Sequence, residues 1–267
     1  MQGKSLDGGI PTLNYRLGTF EGTAKVDGVA IKEQVRIDME ACFACSVRCK
    51  KVVQIEMREE DAGVTRKGVK VAVDPRHRYR VDPRYGGPEY ESLASLGTNL
   101  GVDDIVAVCK SNEICNMMGM DTISAGSTIA WAMEAYEKGV LTPEDTDGDA
   151  VIQMLHKIAM REGIDDILAE GSQRAAARIG NGSEEYLTTV KGMEMAMHDP
   201  RHMPGMRASY LLAPTGGDHM RQTGDKNGLR NQVGMCHFLA YDDEQTAQIL
   251  NAVTGWGVDA AEMVATA

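Results

Sequence analysis

The cysteine pattern Cys42-x-x-Cys45-x-x-x-Cys49 restricts the fold of this chain more than any other feature. Soft thiolates at this spacing can converge on one metal centre, whereas ordinary core packing does not require such a cluster. A tetrahedral site needs four ligands, so we expect the fold to bring a distant fourth ligand to this segment. The other cysteines of the chain are Cys109, Cys115 and Cys236.

The distribution of the thiols indicates which metal is involved. Structural zinc sites usually combine two pairs of closely spaced ligands, but here three thiols are neighbours and the rest are remote. That distribution is typical of an iron–sulfur cluster, with a zinc site or no metal at all as the alternatives. Cys109 and Cys115 stand in an apolar stretch with helical spacing, which predicts buried core thiols and favours Cys236 as the fourth ligand.

Charge and composition argue against two classes of partner. The chain has 28 Lys and Arg against 39 Asp and Glu, a net charge of −11, which argues against binding to nucleic acid. It contains no apolar run long enough to cross a membrane, and its first residues lack the apolar stretch of a secretory signal. Its six cysteines therefore do not indicate a disulfide framework, and we expect a cytoplasmic protein in a reducing environment.

Apolar periodicity predicts a mainly α, multihelical fold with two helical lobes and a small irregular or β-containing N-terminal segment. We expect a first helical domain over residues 1–185 and part of a second, C-terminally truncated one over 186–267. Residues 1–35 are expected to be irregular or short strand, residues 69–73 a strand, and residues 198–230 a loop. The predicted helices cover 89–118 with a break near 97–101, 123–138, 142–162, 164–179 and 242–254.

A short motif occurs twice along the chain. Asn116-x-x-Gly119-Met120-Asp121 and Asn231-x-x-Gly234-Met235-Cys236 share the order of an Asn, a Gly-Met pair and a final Asp or Cys. A glycine at such a turn allows the backbone to approach a ligand closely. Two unrelated helix ends, or chance, would explain the repeat equally well.

Further motifs, taken in order, resemble the tungsten-containing aldehyde ferredoxin oxidoreductase family from about residue 10 to the end. Besides the cysteine pattern and the two glycine motifs, the matching segments are 87–97, 121–126, 168–171, 190–194, 198–201 and 217–219. The resemblance implies two mainly helical domains that complete a bis-pyranopterin site for tungsten or molybdenum and bind one [4Fe–4S] cluster. The family's N-terminal β domain would be a missing partner, so we expect a fragment or one piece of a split enzyme that is inactive alone.

The resemblance also implies roles for individual residues. Cys42, Cys45, Cys49 and Cys236 would ligate the cluster. Asn116, Gly119, Met120 and Asp121 would clasp one pterin, and Asn231, Gly234 and Met235 the other. The family pattern is Asp-x-x-Gly-Leu-(Asp/Cys), so both Asn residues and both Met residues depart from it.

The implied catalytic residues are Glu91, as the carboxylate that accepts a proton, and His198, as a hydrogen-bond donor or proton shuttle. His219 is the next candidate among the nearby histidines. Without the resemblance, Glu91 would simply start a helix and His198 would belong to an ordinary loop.

The implied activity is the oxidation of a small aldehyde to a carboxylic acid under anaerobic conditions. Electrons would pass through the [4Fe–4S] cluster to ferredoxin or another electron-transfer subunit. Two alternatives remain open at this point: the tungsten subunit of a benzoyl-CoA-reductase-type enzyme, and a non-catalytic iron–sulfur or zinc helical module. Whether the protein forms a homo-oligomer is also open.

Overall fold

The computed structural model describes residues 1–141, 151–220, 234–236, 238–239 and 241–266, and most regular segments in them are helices. The sheets of the described residues consist of two short strands each. The prediction of a mainly α, multihelical fold with small β segments is therefore confirmed.

The first 35 residues fold mainly into short helical turns. Helix α1 spans Gln2–Leu6, a 3₁₀ turn spans Glu21–Lys25, and α2 (Gly28–Ala30) continues into a π-helical turn at Ile31–Val35. The Asp27 side chain caps this last segment because it accepts hydrogen bonds from two backbone N–H groups of α2. The prediction of irregular structure or short strand holds for residues 7–20, which are irregular apart from an isolated β-bridge between Thr12 and Leu17, but not for the helical turns.

Three pairs of strands follow. Strands β1 (Arg36–Glu40) and β2 (Lys50–Val53) are antiparallel and enclose residues 41–49, which carry Cys42, Cys45 and Cys49 and are called the cysteine turn. Strands β3 (Ile55–Glu56) and β4 (Ala72–Val73) are parallel, so the strand predicted over residues 69–73 forms only at its end. Strands β5 (Thr189–Val190) and β6 (Met193–Glu194) form a tight antiparallel pair.

The central helices agree with the predicted ones. Helices α3 (Tyr90–Ser95) and α4 (Ile105–Met118) are separated by a 3₁₀ turn at Thr98–Leu100, so the predicted break is confirmed. Helix α5 spans Thr122–Glu137 and α6 spans Val151–Met160. The predicted start of the latter helix, at residues 142–150, lies outside the described residues.

Two later predictions needed correction. The helix predicted over 164–179 is divided into α7 (Asp165–Leu168) and α8 (Ser172–Ile179) because Gly171 adopts a left-handed φ of 87°. Of the loop predicted over 198–230, residues 221–230 lie outside the described residues, and Pro204–Leu212 form α9, with its proline in the first turn, where no N–H is needed.

The C-terminal helices are α10 and α11. Helix α10 (Asp243–Thr254) confirms the helix predicted over 242–254. It begins with a capping box between Asp242 and Gln245 and ends at Gly255 in the left-handed conformation. Helix α11 spans Ala260–Thr266.

The main core lies among α3 to α8. Trp131 of α5 is fully buried, and its Nε1 donates to the carbonyl of Ser183 at 2.9 Å. Glu194 of β6 accepts hydrogen bonds from the backbone N–H and the hydroxyl of Ser172, both at 2.8 Å, at the start of α8. Residues near 190 thus pack on the central helices, while a lobe boundary at residue 185 stays a prediction.

Helices α3 and α5 approach each other closely at Gly126. A Cβ on Gly126 would lie 2.6 Å from the Ser95 carbonyl oxygen, which is backbone and cannot simply rotate away. We expect Gly126→Ala to lower the free energy of unfolding by about 2 kcal/mol, because overpacking outweighs the gain in helix propensity. Denaturant unfolding measures this change.

Gly205→Ala is the matched control, because Gly205 is also helical and a Cβ there would meet nothing within 4 Å. We expect it to be neutral or stabilising. Equal loss of stability in both variants would contradict the close α3–α5 contact.

Candidate functional site

The N-terminus of α3 carries the central carboxylate of the site. The helix starts after the Gly-Gly-Pro segment 86–88, with Glu89 as its N-cap and Glu91 in its first turn. The Glu89 carboxylate pairs with Lys51 at the surface, whereas the Glu91 side chain is only 19% exposed. The helix start thus sends two neighbouring acidic side chains into different environments.

Three side chains from distant parts of the sequence meet at Glu91. Its Oε1 lies 2.6 Å from Nδ1 of His198 and 3.5 Å from Nε2 of His219. The two imidazole rings stack, with their centroids 4.9 Å apart and their planes 26° apart. Glu91, His198 and His219 each offer one potential metal-ligand atom, and these three atoms lie within 4.8 Å of one another. No other set of three His, Cys, Asp or Glu side chains does so among the described residues.

A tight turn holds His198 in this position. The backbone N–H of His198 donates to the carbonyl of Ala196 at 2.6 Å, so residues 196–198 close a three-residue turn. The N–H of Met197, at its centre, donates to Oε2 of Glu91 at 2.6 Å. We call residues 196–198 the histidine turn. Glu91 therefore contacts both the side chain and the backbone of this turn.

The environment favours the ionised form of Glu91. Burial opposes the negative charge, but the contact with His198, the charges of His198 and His219, and the Met197 N–H together hold the pKa of Glu91 below its ordinary value of 4.5. The buried Oε1 of Glu91 and Nδ1 of His198 each lack a well-aligned hydrogen bond. Such poorly aligned contacts are common in catalytic sites without a bound reactant.

Residues that the sequence did not indicate surround this group. The ring of Tyr90 meets the His198 ring edge-on at a centroid distance of 5.1 Å, and Nζ of Lys4 lies 4.1 Å above the Tyr90 ring. The pKa of Lys4 is lowered by burial, against the raising effect of the Glu91 charge. The hydroxyls of Tyr15 and Tyr210 also reach the histidine turn. Of these residues, only Tyr90 could have been predicted from the sequence, because it is adjacent to the candidate residue Glu91.

The cysteine turn lies on the surface between β1 and β2. Cys42 is exposed, Cys45 and Cys49 are partly buried, and all three are free thiols. The N–H of Cys45 donates to the carbonyl of Cys42 at 3.0 Å. Cys236 is also exposed, and in the described part of the chain the four thiols do not form a group within 4.8 Å. Their role as cluster ligands stays a prediction.

The two remaining cysteines are core residues, as predicted. Cys109 and Cys115 of α4 are both fully buried. Burial raises the pKa of each thiol, that of Cys115 to about 12, so neither resembles a metal-binding thiolate.

The first glycine motif forms the turn between α4 and α5. Gly119 ends α4 with a left-handed φ of 70°, and Asp121 caps α5 by accepting from the N–H of Ser124 at 2.9 Å. The amide of Asn116 donates to the carbonyl of Tyr85 at 2.8 Å. Met120 follows the glycine directly.

The second glycine motif matches the first at its glycine. Gly234 has a φ of 79°, and Asn231 lies outside the described residues. A Cβ on either Gly119 or Gly234 would meet nothing within 4 Å, so a ligand can approach both backbones. Met235, the next residue, is partly buried.

The donor chemistry of these segments fits the implied cofactors. Three accessible thiols in one turn suit an iron–sulfur cluster, and two open glycine turns suit the close approach of planar pterin rings. None of the described helices is both long and apolar enough to span a membrane.

Comparison with known proteins identifies the family. The family model described as aldehyde ferredoxin oxidoreductase, domains 2 & 3, matches residues 3–226. A tungsten-containing aldehyde ferredoxin oxidoreductase from Pyrococcus abyssi (strain GE5 / Orsay) is 35% identical over 223 residues, which are 79% of this chain and 32% of that protein. The protein of the same name from Pyrococcus furiosus (strain ATCC 43587 / DSM 3638 / JCM 8422 / Vc1) is 33% identical over an alignment of 293 residues. That alignment covers 94% of this chain and 44% of that protein.

A solved structure shares the fold. It is the active site complex BamBC of benzoyl coenzyme A reductase in complex with 1,5-dienoyl-CoA, with a TM-score of 0.61 and 16% identity over 97% of this chain and 47% of that one. The chain thus spans between about one third and one half of the length of the proteins it matches. With a family model matching most of its residues and relatives above 30% identity, the chain belongs to the tungsten-containing aldehyde ferredoxin oxidoreductase family.

Proposed function

We propose that the chain is the cluster-bearing helical part of a tungsten-pterin oxidoreductase that oxidises aldehydes to carboxylic acids and passes electrons to ferredoxin. The observation that carries this proposal is the 2.6 Å contact between Oε1 of Glu91 and Nδ1 of His198 in a largely buried setting. Both atoms are buried and lack well-aligned hydrogen bonds, so their donor and acceptor capacity is not used by other protein groups.

The reaction determines what the protein must supply. Oxidising an aldehyde with water gives a carboxylate, two electrons and three protons. A tungsten-pterin group would accept the two electrons, and an iron–sulfur cluster supplies one-electron transfer. Protein side chains must then hold the substrate oxygen and remove protons.

Glu91 and His198 suit the proton-handling part. Because its pKa is lowered, Glu91 is ionised at neutral pH and can accept a proton at Oε1. The Met197 N–H holds the other carboxylate oxygen, so the accepting oxygen stays directed toward His198. His198 can donate a hydrogen bond or relay the proton, and His219 is near enough to Glu91 to share that role.

Other segments would hold the cofactors. We assign the cluster to Cys42, Cys45, Cys49 and Cys236, and the two pterins to the glycine motifs that begin at Asn116 and Asn231. The exposure of Cys42 and Cys236, the partial exposure of Cys45 and Cys49, and the open space at both glycines support this assignment. Asn in place of the family's Asp removes a negative charge from each motif, and pterin affinity is expected to change with it.

Replacing the Glu91 carboxylate tests the proposed base. We expect Glu91→Gln to lower kcat for an aldehyde by about a hundredfold or more, because the amide keeps the shape but cannot accept the proton. Tungsten and iron contents should be unchanged. In the unmodified enzyme the acidic limb of kcat/KM should lie below pH 4.5, the ordinary pKa, because activity is lost only as Glu91 becomes protonated.

Glu89→Gln is the control, since Glu89 lies two residues away but pairs with Lys51 at the surface. It should retain activity. Full activity in Glu91→Gln with normal metal content would refute the proposed role of Glu91.

Cysteine substitutions test the cluster ligands. Cys45→Ser and Cys236→Ser should each lose cluster iron and acid-labile sulfide, because an iron–sulfur cluster is held by all its thiolates. Cys109→Ser should keep both, since Cys109 is a buried core residue. Metal and sulfide analysis of anaerobic preparations measures the outcome.

Equal iron retention in all three cysteine variants would contradict the assignment. One zinc per chain without sulfide would favour the non-catalytic module instead. Turnover of benzoyl-CoA but not of aldehydes would favour the ring-reducing alternative.

A further inference from the structure

Three tyrosine hydroxyls meet the histidine turn from three separate parts of the chain. They belong to Tyr15 near the N-terminus, Tyr90 at the start of α3 and Tyr210 in α9. We call this set the tyrosine clamp. Tyr15 and Tyr210 are 5% and 3% exposed, so their hydroxyls are shielded from water.

The hydroxyls donate to successive carbonyls of the histidine turn. Tyr15 donates to the carbonyl of Ala196 at 2.5 Å, and Tyr90 donates to that of Met197 at 2.6 Å. Tyr210 lies 3.1 Å from the carbonyls of both Ala196 and His198. Tyr15 thus bonds Ala196, Tyr90 and Glu91 bond Met197, and Tyr210 bonds His198. Each residue of the histidine turn therefore has a hydrogen bond to a side chain from another segment.

Burial suits the tyrosines to this role. Ala196 and Met197 are 1% and 0% exposed, and buried carbonyls need hydrogen-bond donors. Burial raises the pKa of each clamp hydroxyl above the ordinary value of 10.0, so all three are protonated donors at neutral and acidic pH. The clamp therefore keeps its donors through the pH range in which Glu91 gains or loses its proton.

Backbone strain at Tyr15 is the second observation. Leu13, Asn14 and Tyr15 have left-handed φ values of 49°, 54° and 62° in succession, which is unfavourable for Leu and Tyr. Such strain persists only where surrounding contacts enforce it, and it is common near functional sites. Here Asn99 accepts from the Tyr15 N–H at 3.1 Å and Arg201 donates to the Tyr15 carbonyl at 2.6 Å.

We propose that the tyrosine clamp fixes the histidine turn and thereby positions the His198 imidazole against Glu91. The clamp residues are positioning residues, because their hydroxyls bond the backbone of the turn instead of the reacting groups. This inference rests on the proposed function for its catalytic consequence but not for its structural one.

Removal of single hydroxyls tests the clamp in the natural assembly. Tyr15→Phe and Tyr210→Phe keep the ring and remove only the donor. In hydrogen–deuterium exchange, we expect the amides of the peptide that covers the histidine turn to exchange about fivefold faster. This factor corresponds to the net contribution of one lost hydrogen bond. Tyr136→Phe is the matched control, because Tyr136 is 44% exposed on α5.

Kinetics separate positioning from a purely structural role. In Tyr15→Phe we expect kcat to fall about tenfold with KM within about twofold of the starting value, because His198 is misplaced. The acidic limb should move to higher pH, since a looser turn weakens the contacts that lower the Glu91 pKa. If Tyr15→Phe does not fold, Tyr210→Phe and Tyr90→Phe serve as the same test.

Two results would overturn the clamp. One is unchanged exchange of the turn in every clamp variant, and the other is faster exchange with unaltered kcat and acidic limb. Failure of the proposed function is distinct, because it would appear as full activity in Glu91→Gln whatever the exchange rates of the clamp variants.

Discussion

The rest of the site depends on one buried carboxylate that joins two distant parts of the chain. Glu91 and Met197 are 106 residues apart in sequence, yet Oε2 of Glu91 accepts the N–H of Met197 while Oε1 contacts His198. Placing a charge in a largely buried position is costly unless donors and opposite charge compensate. The histidine turn supplies both, so the same contacts that stabilise Glu91 also determine where the histidine lies. Without the histidine turn, the buried Glu91 carboxylate would lose its hydrogen-bond donor and its neighbouring imidazole. Without Glu91, the Met197 N–H would lose its acceptor.

That coupling requires a rigid turn, and the chain accepts backbone strain near it. Left-handed φ values at Leu13 and Tyr15 cost about 1–2 kcal/mol each. The amide of Asn14, between them, donates to Glu134 at 2.7 Å and to the carbonyl of Tyr186 at 2.8 Å, which ties the strained segment to α5 and to the region before β5. Hydrogen bonds of this buried kind contribute about 1 kcal/mol each, so two or three of them offset the strain. The N-terminal segment is therefore fastened to the same core as the site.

Sequence reasoning predicted what local pattern determines and missed what long-range packing determines. Helices α4 and α5 follow from their apolar spacing, and Glu91 with His198 followed from motif resemblance, not from geometry. The break at Gly171 was missed because the sequence does not indicate whether a single glycine within a periodic segment adopts a left-handed φ. Tyr15 and Tyr210 were missed because their partners are 181 and 14 residues away, at backbone carbonyls that any sequence can present. Only the folded chain shows that these tyrosines donate to the histidine turn.

The two proposed centres differ in how far the protein alone assembles them. The ligand atoms of Glu91, His198 and His219 lie within 4.8 Å of one another. The four thiols do not form such a group in the described part of the chain, and Cys42 and Cys236 are exposed. Thiolates repel one another when deprotonated, so they have no physical reason to converge before a metal compensates their charge. A proton-handling site can be pre-organised by packing, whereas a thiolate site gains its geometry from the metal it binds.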